Sequence, residues 1–332
     1  MKTATIDSTL HQLADRVVTT CCRPMNISLG LWRGKLGAVI FLLHYSRHYN
    51  DPRCESYAME LFEYIHDSSI AANNMYGVNH NLIDAGIGMN YIVSQKLAIG
   101  NLGDLFDTID HLLHSYLDNK NVLYLKYKDL ITIGNYLLLR SDAAPSSINH
   151  PLHIKLLERV VELVKIHIMD IPICNPLIIK FLYLSSRLLS DQSVESLLFQ
   201  QLSHYPNRTD WYRSGIPSWF NTFFIPEDNE LLKKILLKEI EAYRQKYLLD
   251  NECMDVLAGG ISGLIVWMNL LSAGLPEDRY STIKNSAIEK ICSDVDHQKI
   301  IPGVSIHHGY SGIGLALLSC IDSRCNQWIN LL

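Results

Sequence analysis

Several ordinary signatures are missing from this chain of 332 residues. No apolar run approaches the roughly 18 residues that a membrane-spanning helix needs. Met1–Ala14 carries charge early and lacks the apolar core of a secretion signal, so a cytoplasmic location is expected. The eight cysteines form no Cys-x-x-Cys pair. Reduced, buried thiols are therefore expected in place of a disulfide frame or a knuckle-type zinc site. Lysine and arginine are scattered, and the formal net charge is −5 with a pI of about 6.3. That balance offers no electrostatic basis for a nucleic-acid or membrane partner.

What is present is apolar, helix-forming sequence punctuated by glycine. At 48% hydrophobic residues the chain can bury a large core. Its clearest stretch is Ser305–Leu318, where polar residues and glycines precede a long apolar run. Gly309 and Gly312 fall where that helix is expected to begin. A residue without Cβ lets the backbone turn sharply and a neighbour approach closely. The pattern returns at Gly34-Lys-Leu-Gly37, at Ala85-Gly-Ile-Gly88 and at Gly260-Ile-Ser-Gly263. Weaker copies begin near Asp129, Cys174 and Trp211. None follows a strand pattern, so a phosphate-binding loop fails on context.

Amphipathic segments alternate with these apolar ones. They are Thr5–Thr20, Arg53–Ser69, Asp104–Leu117, Leu152–Met169, Val194–Leu202, Glu227–Leu249 and Asp278–Val295. Set on a common position, the apolar copies fall at 34, 83, 129, 175, 214, 260 and 309, in steps of 49, 46, 46, 39, 46 and 49. A period in the high forties with two helices per unit is a repeat signature. One helix of each pair is apolar nearly all round and the other amphipathic, which predicts inner and outer layers. The lack of charged terminal caps favours a closed ring over an open solenoid. The expected fold is all-α, an α/α toroid of seven outer–inner helix pairs forming one domain over residues 1–332.

Seven Gly-x-x-Gly helix starts in outer–inner pairs resemble the lanthionine synthetase C-like family. The resemblance covers essentially the whole chain, down to the tail Trp328…Leu331-Leu332. In cyclases of that family, zinc binds a substrate cysteine thiol and lowers its pKa, and the thiolate adds to a dehydrated serine or threonine of a precursor peptide. The resemblance implies zinc ligands from a Trp-Cys-Tyr-Gly motif in the fifth repeat and a Cys-His-Gly motif in the sixth.

This chain departs from each motif. In the fifth repeat, Arg208, Asp210, Trp211, Tyr212 and Arg213 occupy the matching stretch, and the ligand cysteine falls on Tyr212. The Cys-His-Gly motif falls on Ala258-Gly259-Gly260, and the family's catalytic histidine falls on Cys174. The family's aspartate ahead of the third repeat falls near Leu125. Alanine and glycine offer no side-chain ligand, and one tyrosine makes no tetrahedral site. The expectation is a degenerate member without a metal cofactor and without cyclase activity. It would bind a peptide or a partner enzyme of a peptide-modification pathway in its central bowl.

Arg208, Asp210, Trp211, Tyr212, Arg213, Cys174, His307 and His308 are the candidate bowl residues. Trp211, Tyr212, Trp219, Phe220 and Phe223 can wall a peptide site, with Arg208 and Arg213 for carboxylates or carbonyls. A competing reading is an active zinc cyclase whose ligands have moved to Cys174, Cys253, His307 and His308. His44 and His48 lie four apart on one helix face, a spacing that can chelate zinc, but a surface or interface pair is the expectation. His111/His114 and His150/His153 share that weakness on outer helices. Asp84, Asp129, Asp210 and Asp255 cluster near inner-helix starts, where the helix dipole favours negative charge. Two such carboxylates facing each other would instead suit a glycan hydrolase.

Overall fold

The computed structural model describes residues 3–22, 27–71, 80–100, 102–117, 127–143, 150–167, 176–203, 261–272, 278–298, 303–307 and 309–331. Every regular element among them is helical. In chain order the helices are α1 (Thr3–Cys21), α2 (Lys35–Tyr49), α3 (Pro52–Ala71), α4 (His80–Ser94), α5 (Gly103–Leu117) and α6 (Tyr127–Ala143). They continue as α7 (His150–His167), α8 (Pro176–Leu189), α9 (Gln192–Ser203), α10 (Ile261–Ser272), α11 (Asp278–Asp296) and α12 (Tyr310–Ile321), and a 3-10 segment, Ser323–Leu331, follows. The expected all-α class holds for these residues. The expected segments Trp211–Phe224 and Glu227–Leu249 lie outside the described residues. No described helix is long and apolar enough to cross a membrane.

The residues group into two compact units. One comprises Met1–Ile65, Tyr91–Ile99 and Thr209–Leu332, the other His66–Asn90 and Gly100–Arg208.

In the first unit α12 packs against α1, α2 and α10. Every residue from Tyr310 to Ser319 of α12 is buried, as is every residue from Leu36 to Ser46 of α2. A helix apolar on all sides is stable only when protein surrounds it, and these two are surrounded. Gly34 and Gly309 cap their N-termini without any side-chain cap. Backbone carbonyls serve instead: Lys35 N–H donates to Ser28 O and Tyr310 N–H to Gly303 O, each at 2.8 Å. A Cβ at Gly34 or Gly309 would collide with the backbone of these same loops, so only glycine fits. The C-terminal segment anchors through Trp328, which is fully buried and donates Nε1–H to Ser319 Oγ at 2.9 Å.

In the second unit α6 packs against α7 and α8, and α8 against α9. Here the sequence expectation needs correction. α4 begins at His80, ahead of the expected Asp84, so Gly86 lies inside it and marks no start, while α6 begins at Tyr127, close to the expected Asp129, with Gly134 in its interior. Nothing in His80-Asn-Leu-Ile or Tyr127-Lys-Asp-Leu breaks a helix, so each propagates upstream of its glycine. An interior glycine costs about 1 kcal/mol relative to alanine. In return it admits a neighbouring side chain. A Cβ at Gly134 would strike the ring of Phe181, and one at Gly86 would strike Ile109 and crowd Tyr136. The first unit uses the same device, with the Phe41 ring against Gly314.

Candidate functional site

Of the bowl residues named from sequence, only His307 is described. Arg208, Asp210, Trp211, Tyr212, Arg213, Cys174 and His308 lie outside the described residues, as do Ala258 and Gly259. His307 sits in the turn ahead of α12, part-exposed, its ring stacked on Trp32 with centroids 4.9 Å apart and planes 23° from parallel. Its backbone N–H donates to Trp32 O at 3.2 Å. The pair joins the loop before α2 to the loop before α12. Geometry thus assigns the His307 ring a packing role at the helix-start end of the first unit.

The histidine pair on α2 is divided between two partners. His44 is buried with Nε2 2.8 Å from Tyr91 OH, whereas His48 Nδ1 is 3.0 Å from Asp322 Oδ2. Burial, helped by Arg47, pushes His44 down to about 4, so it is neutral near pH 7. Among the described residues no group of three or more His, Cys, Asp or Glu side chains is placed to hold a metal ion. The six described cysteines are unpaired. Five are buried or part-buried, as expected, and Cys22 is exposed.

A different arrangement emerges on α6 and α8 of the second unit. On α6 the residues Asp129, Thr132, Asn135 and Leu139 are part-exposed while Leu130, Ile131, Ile133 and Tyr136 are buried. On α8 Lys180, Tyr183 and Leu184 are part-exposed and Arg187 exposed, with Ile178, Phe181, Leu182 and Ser185 buried. Steps of three and four put each set on one helix face. Arg187 donates to Tyr183 OH at 3.2 Å and lies over its ring in a cation–π contact, 5.7 Å from the centroid. Phe181 packs at Gly134, and their chain neighbours Lys180 and Asn135 are part-exposed. α6 and α8 therefore differ from α2 and α12, whose runs Leu36–Ser46 and Tyr310–Ser319 are buried throughout.

Two groups of this unit titrate near neutrality. Asp84 lies on α4, past its first turn, and so is not the dipole-stabilised carboxylate expected from sequence. It reaches solvent only in part, and burial raises its carboxyl to about 7. Lys180 is likewise part-exposed, and burial lowers its amine to about 8. Groups that solvent reaches but protein crowds are the ones able to exchange protons at neutral pH. Asp129, in the first turn of α6, does fit the dipole reading.

Sequence reasoning missed one constellation. Asp110 of α5 accepts from Tyr136 OH at 2.8 Å, from Arg140 at 3.2 Å and from His153 Nε2 at 2.9 Å. Burial by itself would raise this carboxyl, but the hydrogen bonds from His153 and Tyr136 with the nearby cations hold it below the ordinary range. The available signal was a charge on the apolar face formed by Phe106, Ile109 and Leu113. With Asp110, Tyr136 and His153 buried and Arg140 part-exposed, the quartet knits α5, α6 and α7 together. No protein-family model, curated protein or solved structure matches this chain.

Proposed function

We propose that the chain is a non-zinc relative of the lanthionine synthetase C-like proteins, an α/α toroid that binds a peptide, or a partner enzyme presenting one, against its inner helices. The observation that carries this reading is the polar face of α6 and α8. Asp129, Thr132 and Asn135 on one helix and Lys180, Tyr183 and Arg187 on the next supply both charge signs, amide and hydroxyl groups, and an aromatic ring. Such a mixed surface suits the alternating donors, acceptors and side chains of an extended peptide.

Closure into a toroid is supported by the order in which rings meet glycines. Tyr136 of α6 crowds Gly86 of α4, and Phe181 of α8 meets Gly134 of α6, so a later inner helix supplies the ring. For Gly314 of α12 the ring is Phe41 of α2, as though the first repeat followed the seventh. Zinc does not fit the residues available: the family's ligand positions fall on Tyr212, Ala258 and Gly259, two of which carry no donor atom. No thioether chemistry is therefore assigned.

Two measurements test the reading. Metal analysis of the purified chain is expected to find no stoichiometric zinc, and one tightly bound zinc per chain would overturn the non-zinc assignment. An array of unstructured peptides is expected to yield selective binders whose affinity falls about tenfold with Arg187→Ala, a loss of about 1.4 kcal/mol. Binding that is absent, or indifferent to Arg187→Ala and to Thr132→Ala, would overturn the peptide site.

A further inference from the structure

In three of the five inner–outer pairs among the described helices the outer helix packs on the inner helix before it, whereas α3 and α5 pack little on α2 and α4. α7 packs chiefly on α6, the inner helix before it, less on α8 after it, and also touches α5, the outer helix before it. α9 packs on α8, and α11 on α10, again the inner helix that precedes. α1 stands first among the described helices, yet it packs chiefly on α12, then on α11, and least on α2. Those are the neighbours that the pattern of α7, α9 and α11 gives to an outer helix that came after α12.

The contacts are specific. Leu10, Leu13, Ala14 and Val17 form the fully buried face of α1. Arg16 donates to Val295 O of α11 at 3.0 Å and lies 5.8 Å from the Tyr310 ring centroid of α12. Gln12 donates to Asp296 Oδ1 of α11 at 2.9 Å. Toward α2, Tyr49 OH donates to Asp7 Oδ1 at 2.6 Å, and His11 meets Tyr45. Polar contacts of α1 thus run both ways, to α11 and to α2 and α3, where Arg53 donates to Asp15 Oδ1 at 2.8 Å, and it is the helix packing that favours α12 and α11.

We propose that α1 is the outer helix of the last pair, a closing strap docked on α11 and α12, and that the physical pairs run inner-to-outer. This differs from the outer-to-inner order suggested by sequence, in which α1 belongs to α2. The inference rests on packing within the first unit and stands whether or not a peptide binds the second.

The experiment is a circular permutation of the whole chain. Residues 1–26 are moved behind Leu332 through a flexible glycine–serine linker of about 20 residues, long enough to span roughly 25 Å. A chain in the original order carrying the same linker at its C-terminus is the control. The permutant is expected to unfold cooperatively within about 5 °C of the control. Loss of the cooperative transition in the permutant alone would overturn the proposal. Native-state hydrogen exchange on the unaltered chain gives an independent readout. Amides of α1 are expected to open together with those of α11 and α12, and α1 amides that stay protected with α2 while α12 opens would overturn it.

Discussion

His153 places Nε2 2.9 Å from Oδ2 of Asp110, and both side chains are all but closed to solvent. Arg140 donates to the same oxygen and Tyr136 OH to the other. Asp110→Ala would leave the Arg140 guanidinium without its carboxylate and is expected to cost about 3–5 kcal/mol. Because the folded state holds this carboxyl below its ordinary value, its contribution is present above about pH 4, the unfolded value, and is lost as pH falls. Asp110→Asn should therefore flatten the acid limb of stability. Urea unfolding of both variants between pH 3 and 7 checks the cost and the slope.

Phe41 and Gly314 offer a second test. Gly314→Ala puts a methyl group into the Phe41 ring and is expected to destabilise by about 1–3 kcal/mol. Phe41→Ala opens a cavity and should cost about 3–5 kcal/mol. The double variant should cost less than the two together, since the added methyl occupies part of the vacated space. Additive losses in a denaturation cycle would show that the ring and the glycine do not share that space.

Asp84 predicts a pH dependence of opposite sign. Burial raises its folded value to about 7, so its neutral form is the one the fold favours. The associated stability is complete below about pH 4, declines as pH rises toward 7, and is gone above it. Asp84→Asn keeps the neutral shape and is expected to stabilise the chain by about 2 kcal/mol at pH 8 with little effect at pH 4. Thermal melts at those two pH values decide it.

Lys180 should be distinguishable from other lysines by its chemistry. With its amine lowered to about 8, roughly half is unprotonated at pH 8, against under about 1% for an ordinary lysine. A limiting dose of an amine-acylating reagent at pH 8 is expected to label Lys180 ahead of the exposed lysines, with Lys96 and Lys155 as references. Peptide mapping by mass spectrometry reads the order. Labelling no faster than Lys96 would mean that the amine is protonated like any other or closed to the reagent.

The sequence by itself determined the all-helical class and where most of the described helices lie. Leu105, Ile109, Leu112 and Leu113 mark one face of α5, and the span read as Asp104–Leu117 is Gly103–Leu117 in the structure. The glycine caps at Gly34 and Gly309 were legible for the same reason, since a polar loop meeting an apolar run is a local signal. Only the tertiary structure decided which glycines make room for rings. It also placed Asp84 beyond its first turn, and it chose the partners of Asp110 and His307. Those outcomes depend on helix phase and on neighbours as distant as Phe41 and Gly314. Helical periodicity records which side of a segment is apolar, and packing alone selects what covers it. For the same reason α1 reads from sequence as the partner of α2 and packs chiefly on α12.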